Sequence, residues 1–372
     1  MFDGLYAHGA AAATLTDTAW LQAMLDVEAA IARASAALGE IPVRAAEQIT
    51  EAARGQRFGA AALAAIAVSE AENATPVLGL VAMLRDAVGP DARDHVHAGA
   101  TSQDVVDTAL MLLAQRARAR LLADARRGAD AAARLAAAHR DTPVIGRTLM
   151  QQALPTTFGL RAAGWLTEID GAAAALAATE LPVQMGGPIG GRDPAVAARV
   201  AAELGLTAPV MGWATDRVAP ARLACALGVL AGAVAKISRD VTLLASTEIG
   251  EIHDARAGGS SAMSHKRNPV AAVSALACAR RTPGLVATML AAMESEHERA
   301  AGAWQAEWGT LVALLGLTGS ATAWAAELLD GLQLDDARMA ENLRAAPTAA
   351  RPLPDGAGEL VDRALRAHRE LG

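Results

Sequence analysis

The segment from Gly258 to Val270, GGSSAMSHKRNPV, gathers serines, groups able to carry positive charge and an Asn-Pro step into thirteen residues. The chain around it is mostly alanine, leucine and valine. Serines close to a lysine and an arginine are residue types that can move a proton and hold an anion. Gly258-Gly259 supply a low-barrier hinge, and Asn268-Pro269 supply an N-cap and first helical residue for a helix that follows. The segment is therefore either a plain connector or a lid over an anion. It is not a nucleotide-phosphate loop, because the G-K-[ST] ending is missing.

Two more polar islands interrupt the apolar text. HAGATSQDVVDTA, His97 to Ala109, places Thr101 and Asp104 at the spacing of a capping box. It is either a structural cap or a place where Thr101, Ser102 and free helix N–H groups hold an anionic ligand. GRTLMQQALPTTFG, Gly146 to Gly159, is either a solvated loop before a helix beginning at Pro155 or a source of donors, Thr148 and Gln151, for a carboxylate.

Composition excludes several classes. The net charge is −7 over 372 residues, and no Lys/Arg cluster with interleaved aromatics appears, so no nucleic-acid partner is expected. Cys225 and Cys278 each sit in alanine-rich helical text and read as small buried hydrophobes. His95 and His97 form an H-x-H pair without further ligands at metal-site spacing, so no metal site is expected. The N-terminus lacks a basic start followed by an apolar run. The uncharged stretch Thr310 to Ala326 is shorter than the roughly 20 residues of a membrane span. The expectation is a soluble, cytoplasmic protein with no membrane partner.

The elements that must position the islands are helices. Asp17 to Leu38 reads as one amphipathic helix stopped at Gly39, with shorter helices from Val43 to Val88. Gln103 to His139 contains no proline and one glycine, predicting a helix of about 35 residues, or about 50 Å. Further helices are expected over Pro155–Thr179, Ala221–His253, from Pro269 with a kink near Pro283, and over Trp304–Leu329. MGGPIGGRDP, Met185 to Pro194, breaks the chain, and no β-branched alternation long enough for a sheet is present. With aromatics at 3%, the core must be packed by small aliphatic side chains. Helices this long project past any single core and are stable when neighbouring subunits bury their apolar stripes, so a homotetramer is expected.

Taken together, the three islands resemble the signature regions of the fumarase/aspartase superfamily. GGSSAMSHKRNP is similar to its GSSxMPxKxNP signature, and the likeness runs from LDVEAAIARASAALGEIP (Leu25 to Pro42) to HERAAGAWQAEW (His297 to Trp308). The resemblance implies an all-α fold: an N-terminal helical domain (1–100), a central long-helix bundle (101–335) and an abbreviated C-terminal helical segment (336–372). It also implies a tetramer whose active sites combine the three regions from different subunits. Ser260 is implied as the general base, with Lys266 and Asn268 completing the catalytic set. His97, Thr101, Ser102, Thr148, Gln151, Ser261, Met263 and Arg267 are implied as binders of a small polycarboxylate. No cofactor is implied.

Such enzymes remove a proton beside a carboxylate and expel a group from the neighbouring carbon, through a doubly charged intermediate that needs dense donors and a cation. Where several members read G-R-T-H, with the histidine protonating the leaving group, this chain has Leu149, and Gln152 replaces a second histidine. A leaving group that needs no acid is implied. A carboxylate, with a pKa of roughly 4, is one. The text resembles the 3-carboxy-cis,cis-muconate cycloisomerase branch more than the lyases, with lyases expelling nitrite or an amine as alternatives and a non-catalytic homologue as the remaining reading. Departures from the superfamily pattern are Ser264 for proline, Ala214 where histidine is frequent, and a C-terminal helical domain abbreviated to about thirty residues after ENLRAAP.

Overall fold

The computed structural model describes residues 3–256, 258–259, 263 and 266–371. Short helices build the N-terminal part: α1 (Asp3–Tyr6), α2 (Asp17–Ala37), α3 (Val43–Ala52), α4 (Ala60–Asn73), α5 (Val77–Ala87) and α6 (Pro90–Arg93). The long α7 (Ser102–Ala138) leads into a hairpin of β1 (Pro143–Thr148) and β2 (Gln151–Thr157), then α8 (Phe158–Ala177) and α9 (Pro194–Leu204). The remainder comprises α10 (Val218–Leu244), β3 (Ile252–Asp254), α11 (Val270–Ala279), α12 (Thr282–Ala291) and α13 (Ala303–Asp330). It closes with β4 (Leu332–Leu334), α14 (Asp336–Ala345) and α15 (Ala357–Glu370). The all-α class expected from the sequence is what forms.

The frame is a bundle in which α7, α10 and α13 run the same way. Near their starts, Asp107 of α7 meets Trp304 of α13 and Arg217, just ahead of α10. Near their ends, Arg134 of α7 meets Asp330 of α13 at 2.8 Å. Helix α8 runs back along them, its start against the end of α7. Small residues let the axes approach: a Cβ on Gly128 of α7 would lie 3.5 Å from Ala326 Cα of α13.

Burial along α7 explains its length. Gln103 to Ala114 are buried on every side, so the first three turns are the centre of the core. Beyond them the buried residues narrow to a stripe, Ala117, Leu121, Ala125, Gly128, Ala129, Ala131, Ala132 and Ala136, and the rest of the helix surface is only partly covered or exposed. Helices α10 and α13 are each long and apolar enough, by length and composition, to cross a membrane. The apolar window of α13 is 72% buried inside this chain, as a core helix should be, whereas that of α10 is only 56% buried and exposes Val229.

Five sequence expectations are corrected here. Two small antiparallel sheets form, β1 with β2 and β3 with β4. Pro155 lies in β2, and the helix expected there begins at Phe158, capped by Thr157, whose Oγ1 accepts from Leu160 N–H at 3.1 Å. The helix expected to reach His253 stops at Leu244, because residues 252–254 pair with 332–334 across the sequence. The helix expected to kink near Pro283 is two helices, broken at Arg280-Arg281, with Pro283 in the first turn of the second, where no N–H is needed. Of the cysteines, Cys278 is buried, its thiol pushed up to about 11 by burial, but Cys225 is exposed on α10.

The C-terminal segment is docked. His368 of α15 lies between Asp130 of α7 and Asp170 of α8, 2.9 Å from each, and Arg140 grips Asp362 with two hydrogen bonds.

Candidate active site

The islands fall at opposite ends of the bundle. At one end, the capping box at the start of α7 is present, with Thr101 N–H donating to Asp104 Oδ2 at 3.1 Å. Asp104 is fully buried and also accepts from the backbone N–H groups of Gly186 and Gly187 at 2.8 and 2.9 Å and from Gln184 Nε2 at 3.1 Å. Burial pushes its carboxyl above the usual range, against the opposing pull of those donors and the charge of Arg192. The Gly-rich break from Met185 to Pro194 is thus tied to the first island by one carboxylate.

Two guanidinium groups face this end. Arg299 Nη1 donates to Thr101 Oγ1 at 2.7 Å, and Nη2 reaches the Pro188 carbonyl at 3.4 Å. Arg192 lies over Gly99, where an added Cβ would sit 3.4 Å from its Cζ; Gly99 also has φ +66°, so glycine serves both the turn and the close approach. Thr101 is buried, while Ser102 and His97 are half-buried. His97 occupies the left-handed region, φ +65°, and its Nδ1 lies 2.6 Å from Oε1 of Glu28. Burial alone would depress this imidazole. The Glu28 carboxylate, by charge and by hydrogen bond, outweighs that and holds its pKa above the ordinary value.

Beneath the first turn of α7 lies a buried ionic cluster. Arg217 donates to Asp107 Oδ2 at 2.7 Å and to Glu307 Oε1 at 3.0 Å, and Trp304 Nε1 donates to Asp107 Oδ1 at 3.0 Å. All three charged side chains are 1% exposed. Burial raises the Glu307 carboxyl, and the guanidinium works against the rise. The cluster bolts α7 to α13 and to the chain entering α10, fixing the height of Thr101 relative to Arg299. Beside it opens a groove of 1250 Å³ lined by Gly187, Trp213, Ala214, His297 and Glu298, among others. Ala214 keeps a backbone role, its carbonyl accepting from Gln103 Nε2 at 2.7 Å.

At the opposite end, the second island is the hairpin. Thr148 and Gln151 are exposed register partners flanking a two-residue turn. The turn residues Leu149 and Met150 both have positive φ, +49° and +66°, where Asn-Gly is the favoured pair, and Leu149 is 96% exposed. Arg147, one pair in from the hairpin's turn, clasps fully buried Glu251 at 2.6 and 3.0 Å, and Asn342 donates to the same carboxylate at 2.9 Å. That clasp joins the second island to the chain entering β3, from which the third island departs.

The third island leaves through a pinched neck. Gly258 and Asn268 exchange backbone hydrogen bonds of 2.9 and 3.0 Å, and Asn268 Nδ2 donates to the Gly259 carbonyl at 3.2 Å. Gly258, expected as half of a hinge, is instead held in this bridge, where a Cβ would fall 2.3 Å from the Val270 side chain. Asn268, expected as the helix cap, ties the neck, and the residue capping α11 is Pro269. Met263, Lys266 and Arg267 are exposed, and Lys266 N–H closes a turn on the Met263 carbonyl at 3.1 Å. Ser260 and Ser261 lie outside the described residues, as does Ser264.

One chain therefore brings His97, Thr101 and Ser102 together, and it separates them from Thr148, Gln151, Lys266 and Asn268 by the length of α7, about 55 Å for 37 residues. Sequence reasoning did not single out Glu28, Arg217, Arg299 or Glu307. Their signal was present: Glu28 lies in the Leu25–Pro42 stretch, and Arg299 and Glu307 lie in HERAAGAWQAEW. Among the described residues, no group of three or more His, Cys, Asp or Glu side chains is placed to hold a metal ion.

Comparison with known proteins gives the family. A family model described as lyase matches residues 7–284. Nitrosuccinate lyase of Streptomyces davaonensis is 44% identical over 354 residues, covering 89% of this chain and 74% of that protein. The 3-carboxy-cis,cis-muconate cycloisomerase of Bradyrhizobium diazoefficiens is 43% identical over 345 residues, covering 90% of this chain and 76% of that protein. The crystal structure of 3-carboxy-cis,cis-muconate lactonizing enzyme from Pseudomonas putida superposes with a TM-score of 0.89 at 31% identity, covering 100% of this chain and 99% of the other. The signature islands, the bundle that carries them and these matches together make the chain a member of the lyase family of the fumarase/aspartase superfamily.

Proposed function

We propose that this protein is a 3-carboxy-cis,cis-muconate cycloisomerase, closing its substrate to 4-carboxymuconolactone in protocatechuate breakdown. The observation that carries this reading is the hairpin tip. Thr148, Leu149, Met150, Gln151 and Gln152 offer hydrogen-bond donors but no titratable group. A site built there can hold carboxylates and cannot protonate a departing amine. Relatives bearing the cycloisomerase name, at 43% and 41% identity, support the same reading.

In the lactonising direction a substrate carboxylate oxygen adds to the conjugated double bond. The displaced electron pair moves onto the carbon beside a second carboxylate, giving the doubly charged intermediate. The N-terminus of α7, the His97 imidazole, Arg299 and Lys266 supply positive potential for it. Ser260 delivers its hydroxyl proton to that carbon, and the resulting alkoxide, stabilised by Lys266, takes a proton from water. The substrate enters with three carboxylates and leaves with two, so each closure consumes one proton.

The separation of the islands along α7 supports a site shared between subunits. The uncovered part of α7 and the half-buried α10 support a homotetramer in which one subunit's Thr101 end receives the hairpin and neck ends of others. A cytoplasmic location goes with this reading. A second reading rests on the 44% relative: a nitrosuccinate lyase, whose nitrite also departs without an acid. Purified protein mixed with 3-carboxy-cis,cis-muconate should erase the conjugated-diene absorbance and yield the lactone. Nitrite and fumarate formed from nitrosuccinate, with the diene untouched, would replace the first reading with the second.

A further inference from the structure

We infer that Glu28 is a positioning residue: it holds the His97 ring by Nδ1 so that the opposite edge, Nε2–H, is presented to a substrate carboxylate beside Thr101. This rests on the reading of the Thr101 end as half of a polycarboxylate site.

The geometry is specific. Glu28 lies on α2, its side chain is fully buried, and its Oε1 is 2.6 Å from His97 Nδ1. Its other oxygen, Oε2, is buried without a hydrogen-bond partner among the described residues. A carboxylate held in that state is costly unless a cation stands against it, and the imidazolium is the cation in contact. The His97 backbone is held in the left-handed region, φ +65°, which a non-glycine residue adopts only where the surroundings impose it. What the surroundings gain is delivery of the ring onto Glu28. His97 Nε2 has no partner among the described residues, and the side chain is 17% exposed, so that edge is open at the site.

The charged groups acting on the ring come from three helices. Glu28 of α2 and Asp104 of α7 favour the imidazolium, and Arg85 of α5 opposes it. Arg192 stands over Gly99, two residues along the chain. The balance raises the ring's pKa and so favours its charged form, which suits an anion-binding donor.

The test is Glu28→Gln in the full-length protein, a change that keeps the shape and an acceptor oxygen but removes the charge. KM for the polycarboxylate substrate should rise about tenfold, the worth of a charge-assisted hydrogen bond, with a much smaller change in kcat. The alkaline limb of kcat/KM should move to lower pH, and Glu28→Asp should restore part of both. In a His97→Asn background, Glu28→Gln should add no further loss, as expected of a residue acting through the ring. A readout free of turnover separates this inference from the proposed reaction. NMR titration of the His97 imidazole, assigned by its absence in His97→Asn, should show a lower midpoint in Glu28→Gln whichever substrate the enzyme uses. A lowered melting temperature with the His97 midpoint and the alkaline limb both unmoved would make Glu28 a structural residue and overturn the inference.

Discussion

Arg299 Nη1 donates to Thr101 Oγ1 over 2.7 Å, joining two residues 198 positions apart at the mouth of the long helix. The contact orients a hydroxyl that the sequence offers either as a helix cap or as an anion contact, and it adds a fixed positive charge to the partial charge of the helix end. Replacing Arg299 by leucine should lower kcat/KM about 10- to 100-fold, mainly through KM, because one charge-assisted contact to an anion is lost. Lysine at this position should recover part of the loss. Steady-state kinetics checks this, and an unchanged KM in Arg299→Leu would remove Arg299 from the binding end.

Arg217 between Asp107 and Glu307 has a structural consequence. Removing the guanidinium leaves two carboxylates buried without a counter-charge. Arg217→Met should therefore destabilise the protein by about 3–5 kcal/mol. Adding Asp107→Asn and Glu307→Gln to that variant should recover most of the loss, since neutral groups need no cation. Urea unfolding at fixed protomer concentration measures both.

The distance along α7 predicts complementation. Arg299→Leu damages the Thr101 end, and Ser260→Ala damages the third island, whose described neck, Gly258 with Asn268, lies at the other end. Subunits of the two variants, refolded together, should form some sites with both ends intact and recover activity above either parent. Sites built within single chains would recover none.

The His97–Glu28 pair also sets a pH dependence of stability. The imidazole has a higher pKa folded than unfolded, so the native state binds more protons and stability falls as pH rises. The pair's contribution is full below the ordinary histidine value of about 6.5 and is lost as pH climbs through the folded value. The stability difference between wild type and His97→Asn should therefore shrink from about pH 6 to pH 9 in thermal unfolding, and growth across that range would contradict the pairing.

Much of this molecule was legible as sequence. Helix α7 was, because residues 103–139 contain no proline and Thr101-x-x-Asp104 marks a start. The hairpin was not. Its turn carries Leu149-Met150 where pattern rules want Asn-Gly, and Pro155 reads as a helix start although it sits buried in β2. Strands β3 and β4 are three residues each and exist only because 252–254 meet 332–334. The Asp107–Arg217–Glu307 cluster spans separations of 110 and 90 residues, so each member looks like an ordinary helical charge until the bundle brings them together. The same holds for Asn268. Its spacing before Pro269 suggests a cap, whereas the bridge to Gly258 takes its amide to the loop's neck.

The proposed reaction is tested most directly by its proton balance. In weakly buffered solution near neutral pH, lactone closure consumes a proton per turnover, nitrite expulsion from nitrosuccinate releases one, and amine expulsion from adenylosuccinate leaves the balance unchanged. Recording indicator absorbance for each compound, alongside the kcat/KM of each, gives the answer in one set of traces. The account predicts proton uptake with 3-carboxy-cis,cis-muconate at the highest kcat/KM of the three. Proton release with nitrosuccinate as the preferred compound would contradict it.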